Sequence, residues 1–184
     1  GDHRYATMLG ADYAFVDGTV AKPLGLANVA PNAPLSRVTV PDPRRAGIFT
    51  HPAFLVGTAD STLATIIRRG RFVYERIGDC SEVPPPMGAI PEPPPRPPGA
   101  SVREHLSEHS TSQVCAACHQ YMDPMGFAFD GFDAQGAVRT QDDYGKPVRT
   151  DGVMPFSDGR VTFSDAADLL RQLARDARSQ GCFA

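Results

Sequence analysis

The chain has 184 residues, a hydrophobic fraction of 41% and no tryptophan, enough for one medium domain or two small ones with a modest core. A formal net charge of −3 supplies no basic field for nucleic acid, which excludes that class of partner. No apolar run reaches the roughly 18 residues of a membrane span. A chain that opens at Gly1, without methionine or an apolar leader, reads as a mature soluble chain or a fragment whose export signal is gone.

Eighteen prolines and seventeen glycines predict much irregular backbone. Tyr5–Val16 fits a short helix, a turn, and a second short helix or strand. Prolines at 23, 31, 34, 41 and 43 then break up anything long. Ser61–Gly78 is the clearest helix of the first half, with Ser61 as its N-cap. Leu63, Ile66, Ile67, Val73, Tyr74 and Ile77 recur at helical spacing, and Arg68, Arg69, Arg71, Glu75 and Arg76 are expected on the solvent face. Gly70 in its middle marks a close approach by another surface.

Pro84–Pro98 holds nine prolines in fifteen residues and predicts a polyproline II spacer. Ser101 and Glu104 form a capping-box pattern ahead of a short helix that carries His105 and His109 on one polar, solvated face. A further helix starts near Ser112 and ends at Asp123-Pro124. Ser164–Arg178, capped by Ser164, is the last predicted helix. Asp- and Gly-rich residues 133–152 read as hairpin turns between short strands, because their acidic spacing does not match a calcium loop. No internal repeat is evident. The predicted organisation is an N-terminal region over 1–80, a proline-rich segment over 81–99 and a C-terminal region over 100–184.

Four cysteines sharpen the functional reading. Cys80 and Cys182 form a leftover pair, either a disulfide or two buried thiols. Cys115, Cys118 and His119 form a Cys-x-x-Cys-His run, the attachment signature of c-type haem. The spacing follows from the chemistry. Two residues between cysteines place both sulfurs along one porphyrin edge, and the next side chain reaches the iron as a proximal ligand. Pro124 is a candidate to take the His119 Nδ1–H on its carbonyl, and Phe127, Phe129 and Phe132 are candidates to line a haem pocket. Rival readings are a redox dithiol, which lacks its expected strand–helix context, and a zinc site completed by His105 and His109.

The run CAACHQYMDPMGFAFDGFDAQGAVR resembles the haem module of a family of exported bacterial proteins built from adjacent domains of unknown function, DUF1592, DUF1588 and DUF1585, found in planctomycetes and myxobacteria. LGADYAFVDGTVAKPLGL resembles the end of the first domain, and RRAGIFTHPAFLVGTADSTLATIIRRGRFVYERIGDCSEVPPP resembles the second. The family usually continues past the position of Cys182. The resemblance implies covalent haem c, export to the periplasm or beyond the cell, and electron transfer with redox partner proteins or other domains of a longer chain.

An electron carrier of this kind needs a second axial ligand. Met154 precedes the last helix in a Met-Pro pair, where small cytochromes place a distal methionine. His51, among apolar residues, is the second candidate, and an open iron site is the third. Arg139 and Arg149 are either propionate partners or surface arginines. Nothing matches a nucleophile elbow, a phosphate-binding loop or a zinc-protease motif. The expected fold class is mainly α with long irregular and proline-rich segments, with a cytochrome c-like haem module in the C-terminal half. The expected function is one-electron transfer by an iron-binding module. The alternatives are a haem enzyme with an open distal site, such as a peroxidase, and a zinc-stabilised interaction module.

Overall fold

The structure, a computed structural model, describes residues 4–84, 94–157 and 161–182. Helix dominates, at 44% against 10% strand. In chain order the elements are α1 (Tyr5–Gly10), β1 (Tyr13–Val16), α2 (Gly18–Ala21), β2 (Ser36–Thr39), α3 (Pro52–Gly57), α4 (Thr62–Val73), α5 (Val102–His109), α6 (Gln113–Ala128), β3 (Gly152–Val153), β4 (Thr162–Phe163), α7 (Ala166–Leu173) and α8 (Ala177–Gly181). A 3-10 turn over Ile48–Thr50 leads into α3, and a π-helical turn over Tyr74–Gly78 prolongs α4. The strands form two antiparallel ribbons, β1 with β2 and β3 with β4. The centre of the predicted proline segment, 85–93, lies outside the described residues.

The crossing of α4 and α6 organises the molecule. A Cβ on Gly70 would stand 1.9 Å from the Met122 carbonyl oxygen, and one on Gly126 would stand 2.2 Å from that of Ile66. Only glycine permits backbones this close, so the mid-helix glycine of α4 has a partner glycine on α6. Around the crossing, Leu9, Leu55 and Val73 share one cluster with Met125, Phe129, Leu169 and Leu170. Residues before 80 and after 100 therefore build a single core. Cys80 and Cys182 join them covalently as a disulfide.

Arg69 departs from its expected place on the solvent face of α4. It is 1% exposed, and its guanidinium donates to the carbonyls of Leu55, Phe129, Phe132 and Asp133 at 2.9–3.2 Å. These carbonyls lie at and beyond the C-terminal ends of α3 and α6; those of Leu55, Phe129 and Asp133 also accept from Thr58, Phe132 and Gly136, and a planar five-donor fork bonds all four together. Burial pulls its pKa down to about 10. Arg45 does the same for Thr50, Pro23 and Gly136. Helical periodicity puts Arg69 on the solvent face because it carries no information about these carbonyl partners.

Three helix boundaries differ from expectation. α6 runs through Pro124 to Ala128, because Pro124 removes only one rung and packing of Met125, Gly126 and Phe127 holds the helix beyond it. α7 is capped by Asp165, which accepts from the Asp168 N–H, rather than by Ser164. It stops at Leu173, and Asp176 caps the separate α8 by accepting from Ser179 N–H. His105 is 6% exposed, not solvated, with Nε2 2.8 Å from the Pro94 carbonyl.

The loops after α6 contain a repeat that the sequence reading missed. Asp133 and Asp142 each start a turn by accepting from the backbone N–H groups two and four residues on. Gly136 and Gly145 each take positive φ, at +78° and +73°. Each turn is then followed by Val-Arg-Thr, residues 138–140 and 148–150. One extra residue in the second copy, Pro147, disguises the period.

Candidate functional site

α6 presents the candidate donors. Its N-cap Ser112 accepts from the Cys115 N–H, so the helix begins just before the motif. Cys115 and Cys118 are free thiols, half-buried on the first turns. Cys118 faces the chain that leaves α4, with Sγ 3.1 Å from the Pro84 carbonyl oxygen. One residue on, His119 lies between the cysteine flank and a cleft of about 830 Å³.

α5 supplies the facing wall. It runs antiparallel to α6, with Val102 and Leu106 packed on Phe127 and the His109 ring edge-on to His119 at 5.0 Å between centroids. The Ser101–Glu104 capping box forms as expected and fixes where α5 starts. Burial, and then the neighbouring His119, lower the pKa of His109, which favours its neutral form at the contact. The β3–β4 ribbon closes the cleft with Gly152, Val153, Thr162 and Phe163.

Nδ1 of His119 lies 2.9 Å from Asp123 Oδ1, and Asp123 Oδ2 lies 2.9 Å from the Ser110 hydroxyl. The ring N–H thus has a carboxylate partner one helical turn away, rather than the Pro124 carbonyl. The reason is the continuation of α6: a carbonyl inside a helix points along the axis, whereas an i+4 side chain stands directly over the ring. Asp123 is 6% exposed.

Pro124 and Phe127 do border the cleft with His119. Met154 does not. Its side chain is 1% exposed in the main core beside Met122, Met125 and Phe129, while its neighbours Gly152 and Val153 wall the cleft. Phe129 and Phe132 also belong to the core. His51 caps α3, with Nδ1 accepting from the Ala53 N–H, and borders a different hollow with Tyr13 and Ala46. Burial lowers its pKa.

Arg139 is engaged by Asp130 and Asp143, and Arg149 is exposed beside Asp151. The cation that borders the cleft is Arg103, which the sequence reading passed over. It lies 4.7 Å over the Phe127 ring and donates to the carbonyls of Arg149 and Asp151. Its position one residue after the start of a capped helix, four residues before Ser107 on the same wall, was the available signal. Among the described residues no group of three His, Cys, Asp or Glu converges as a metal site, and the four residues of the zinc alternative are not gathered, since His105 turns to Pro94.

Fold and site together define a mainly helical, disulfide-bonded domain that displays a Cys-x-x-Cys-His turn on its central helix. A protein-family model described as PSCyt3, protein of unknown function (DUF1588), matches residues 45–142, from the buried Arg45 through the motif to Asp142. The chain belongs to that family, which is of cytochrome c type by its name. Comparison with curated proteins and with solved structures finds no match.

Proposed function

We propose that the chain is a c-type cytochrome module that holds one haem c through Cys115 and Cys118, ligates its iron with His119, and passes single electrons between redox partner proteins or other domains of a longer exported chain. The observation that carries this reading is the first two turns of α6: two free thiols three residues apart, followed by an imidazole whose Nδ1 is already committed to Asp123. That leaves Nε2 as the free donor. The neighbouring cleft meets the motif at His119, while both cysteines stand on the flank beside it. A cleft of about 830 Å³ is ample for a cofactor. Phe127, Phe163 and Pro124 supply apolar wall, and Arg103, paired with Asp151 at 3.5 Å, is the cation on it. Bound at this helix, haem would supply an iron centre that gains and releases one electron.

The protein's own contribution is placement. Ser112 starts the helix, the glycine crossing anchors its other end, and Asp123 fixes the ring. The Cys80–Cys182 disulfide suits an oxidising compartment and supports a periplasmic or extracellular location. No helix among the described residues is long and apolar enough to cross a membrane.

The test is the visible spectrum of protein made in a host with haem-attachment machinery, oxidised and then reduced with dithionite. A sharp reduced α-band that persists as a haemochrome in alkaline pyridine is the expected result. A colourless product overturns the reading. A second reading, a haem enzyme with an open distal position, is favoured by the placement of Met154 in the core and of His51 at α3. Ready binding of cyanide by the ferric protein would select it over a six-coordinate carrier.

A further inference from the structure

The Ser110–Asp123–His119 chain carries an inference that rests on the proposed function and deepens it. Asp123 is a buried carboxylate on the same helix as His119, one turn further on. Its two oxygens are divided between the His119 ring at 2.9 Å and the Ser110 hydroxyl at 2.9 Å. The Ser110 hydroxyl has one proton and a second acceptor, the Leu106 carbonyl, at 3.0 Å. The α5–α6 turn therefore ties Asp123 to α5 while Asp123 holds the ring on α6. Edge-on contact with His109 restrains the ring from another side.

We propose that Asp123 is a positioning residue for His119, one that keeps the ring in the Nδ1–H tautomer with Nε2 presented, and that lowers the reduction potential of an iron bound there. The physical ground is twofold. An anionic acceptor on Nδ1–H raises the basicity of Nε2, as carboxylates do for metal-bound histidines in general. A buried negative charge near the iron also favours the ferric state, which carries one more positive charge than the ferrous state. A neutral backbone carbonyl at the same nitrogen would do the first weakly and the second hardly at all.

Two readouts test it, on the full chain with and without haem. In the haem-free chain, long-range 1H–15N correlation should show His119 as the Nδ1–H tautomer. Asp123→Ala should convert that signal to a mixture of tautomers, whereas Asp123→Asn, which keeps an acceptor oxygen, should largely preserve it. In the haem-loaded chain, both variants should shift the midpoint potential to more positive values. Ser110→Ala, which removes a donor that tempers the carboxylate's charge, should shift it by less and to more negative values, and this milder variant keeps the test intact if the Asp123 variants fold poorly. A His119 found as the Nε2–H tautomer overturns the positioning role. A potential unmoved by Asp123→Asn overturns the electronic role. A wild-type chain that takes up no haem overturns the proposed function and the effect on potential with it, while the haem-free tautomer still decides the positioning role.

Discussion

The two halves of α6 are built to different specifications. Beyond Asp123 the helix is buried: Met125, Gly126, Phe127 and Ala128 all lie in the interior, and Gly126 touches the backbone of α4. Before it, Gln113, Val114, Ala117 and Gln120 are exposed and the cysteines are half-buried. One half of a helix is thus fixed by backbone contact so that the other can hold reactive side chains at the surface in a set geometry. Asp123 stands at the boundary and belongs to both.

That division can be broken from either side. On the proposed function, replacing both Cys115 and Cys118 by alanine should abolish covalent haem attachment altogether while changing the melting temperature of the haem-free chain little. Mass spectrometry and calorimetry check the two halves of that statement. Removing the disulfide by Cys80→Ala with Cys182→Ala should lower stability by about 4–5 kcal/mol, given the separation of 102 residues, measured by denaturant unfolding. Gly126→Ala attacks the anchored half. Its methyl would meet the Ile66 carbonyl, with no side chain to yield, and should cost about 3 kcal/mol in the same assay with both thiols still titratable. Arg69→Leu should cost about 2 kcal/mol, since it strips the guanidinium from the Phe132 carbonyl and leaves those of Leu55, Phe129 and Asp133 with one donor each.

The smallest effect is one of pH. Burial tends to raise the Asp142 carboxyl, but the N–H groups of Val102, Lys146 and Tyr144 outweigh it and hold the group below its ordinary value. A carboxyl depressed in the folded state stabilises above its unfolded pKa, near 3.9, and that contribution is lost as pH falls through the folded value. Wild type should therefore lose melting temperature in acid more steeply than Asp142→Asn. Equal slopes would remove Asp142 from the account.

Much of this was legible in the sequence, and the misses have physical causes. The helices α4, α5 and α6, the Ser101 capping box and the close approach at Gly70 follow from periodicity, capping chemistry and the steric meaning of glycine. The disulfide was one of two open readings of Cys80 and Cys182. Arg69 sits elsewhere than expected because periodicity registers the polarity of a side chain but not four carbonyls arriving together from the ends of α3 and α6. Pro124 was read as a stop because local propensity carries no knowledge of the tertiary packing that holds the next turn. At the site, the motif placed Cys115, Cys118 and His119 on one helix without help. Asp123 was harder because a helix expected to end at Asp123-Pro124 hides its i+4 place over His119, and Arg103 because its role depends on the seating of α5 against the cleft.

The bond between Cys80 and Cys182 has a consequence for what a protease can do to the chain. Every peptide bond from 81 to 181 lies inside a covalent ring, and the Cys-x-x-Cys-His turn lies inside it too. A protease that cuts the ring once opens a loop but releases nothing. Both pieces stay joined, and the core residues on either side of the cut remain concentrated against one another. Electrophoresis of a singly nicked sample should show one full-length band until a reductant is added.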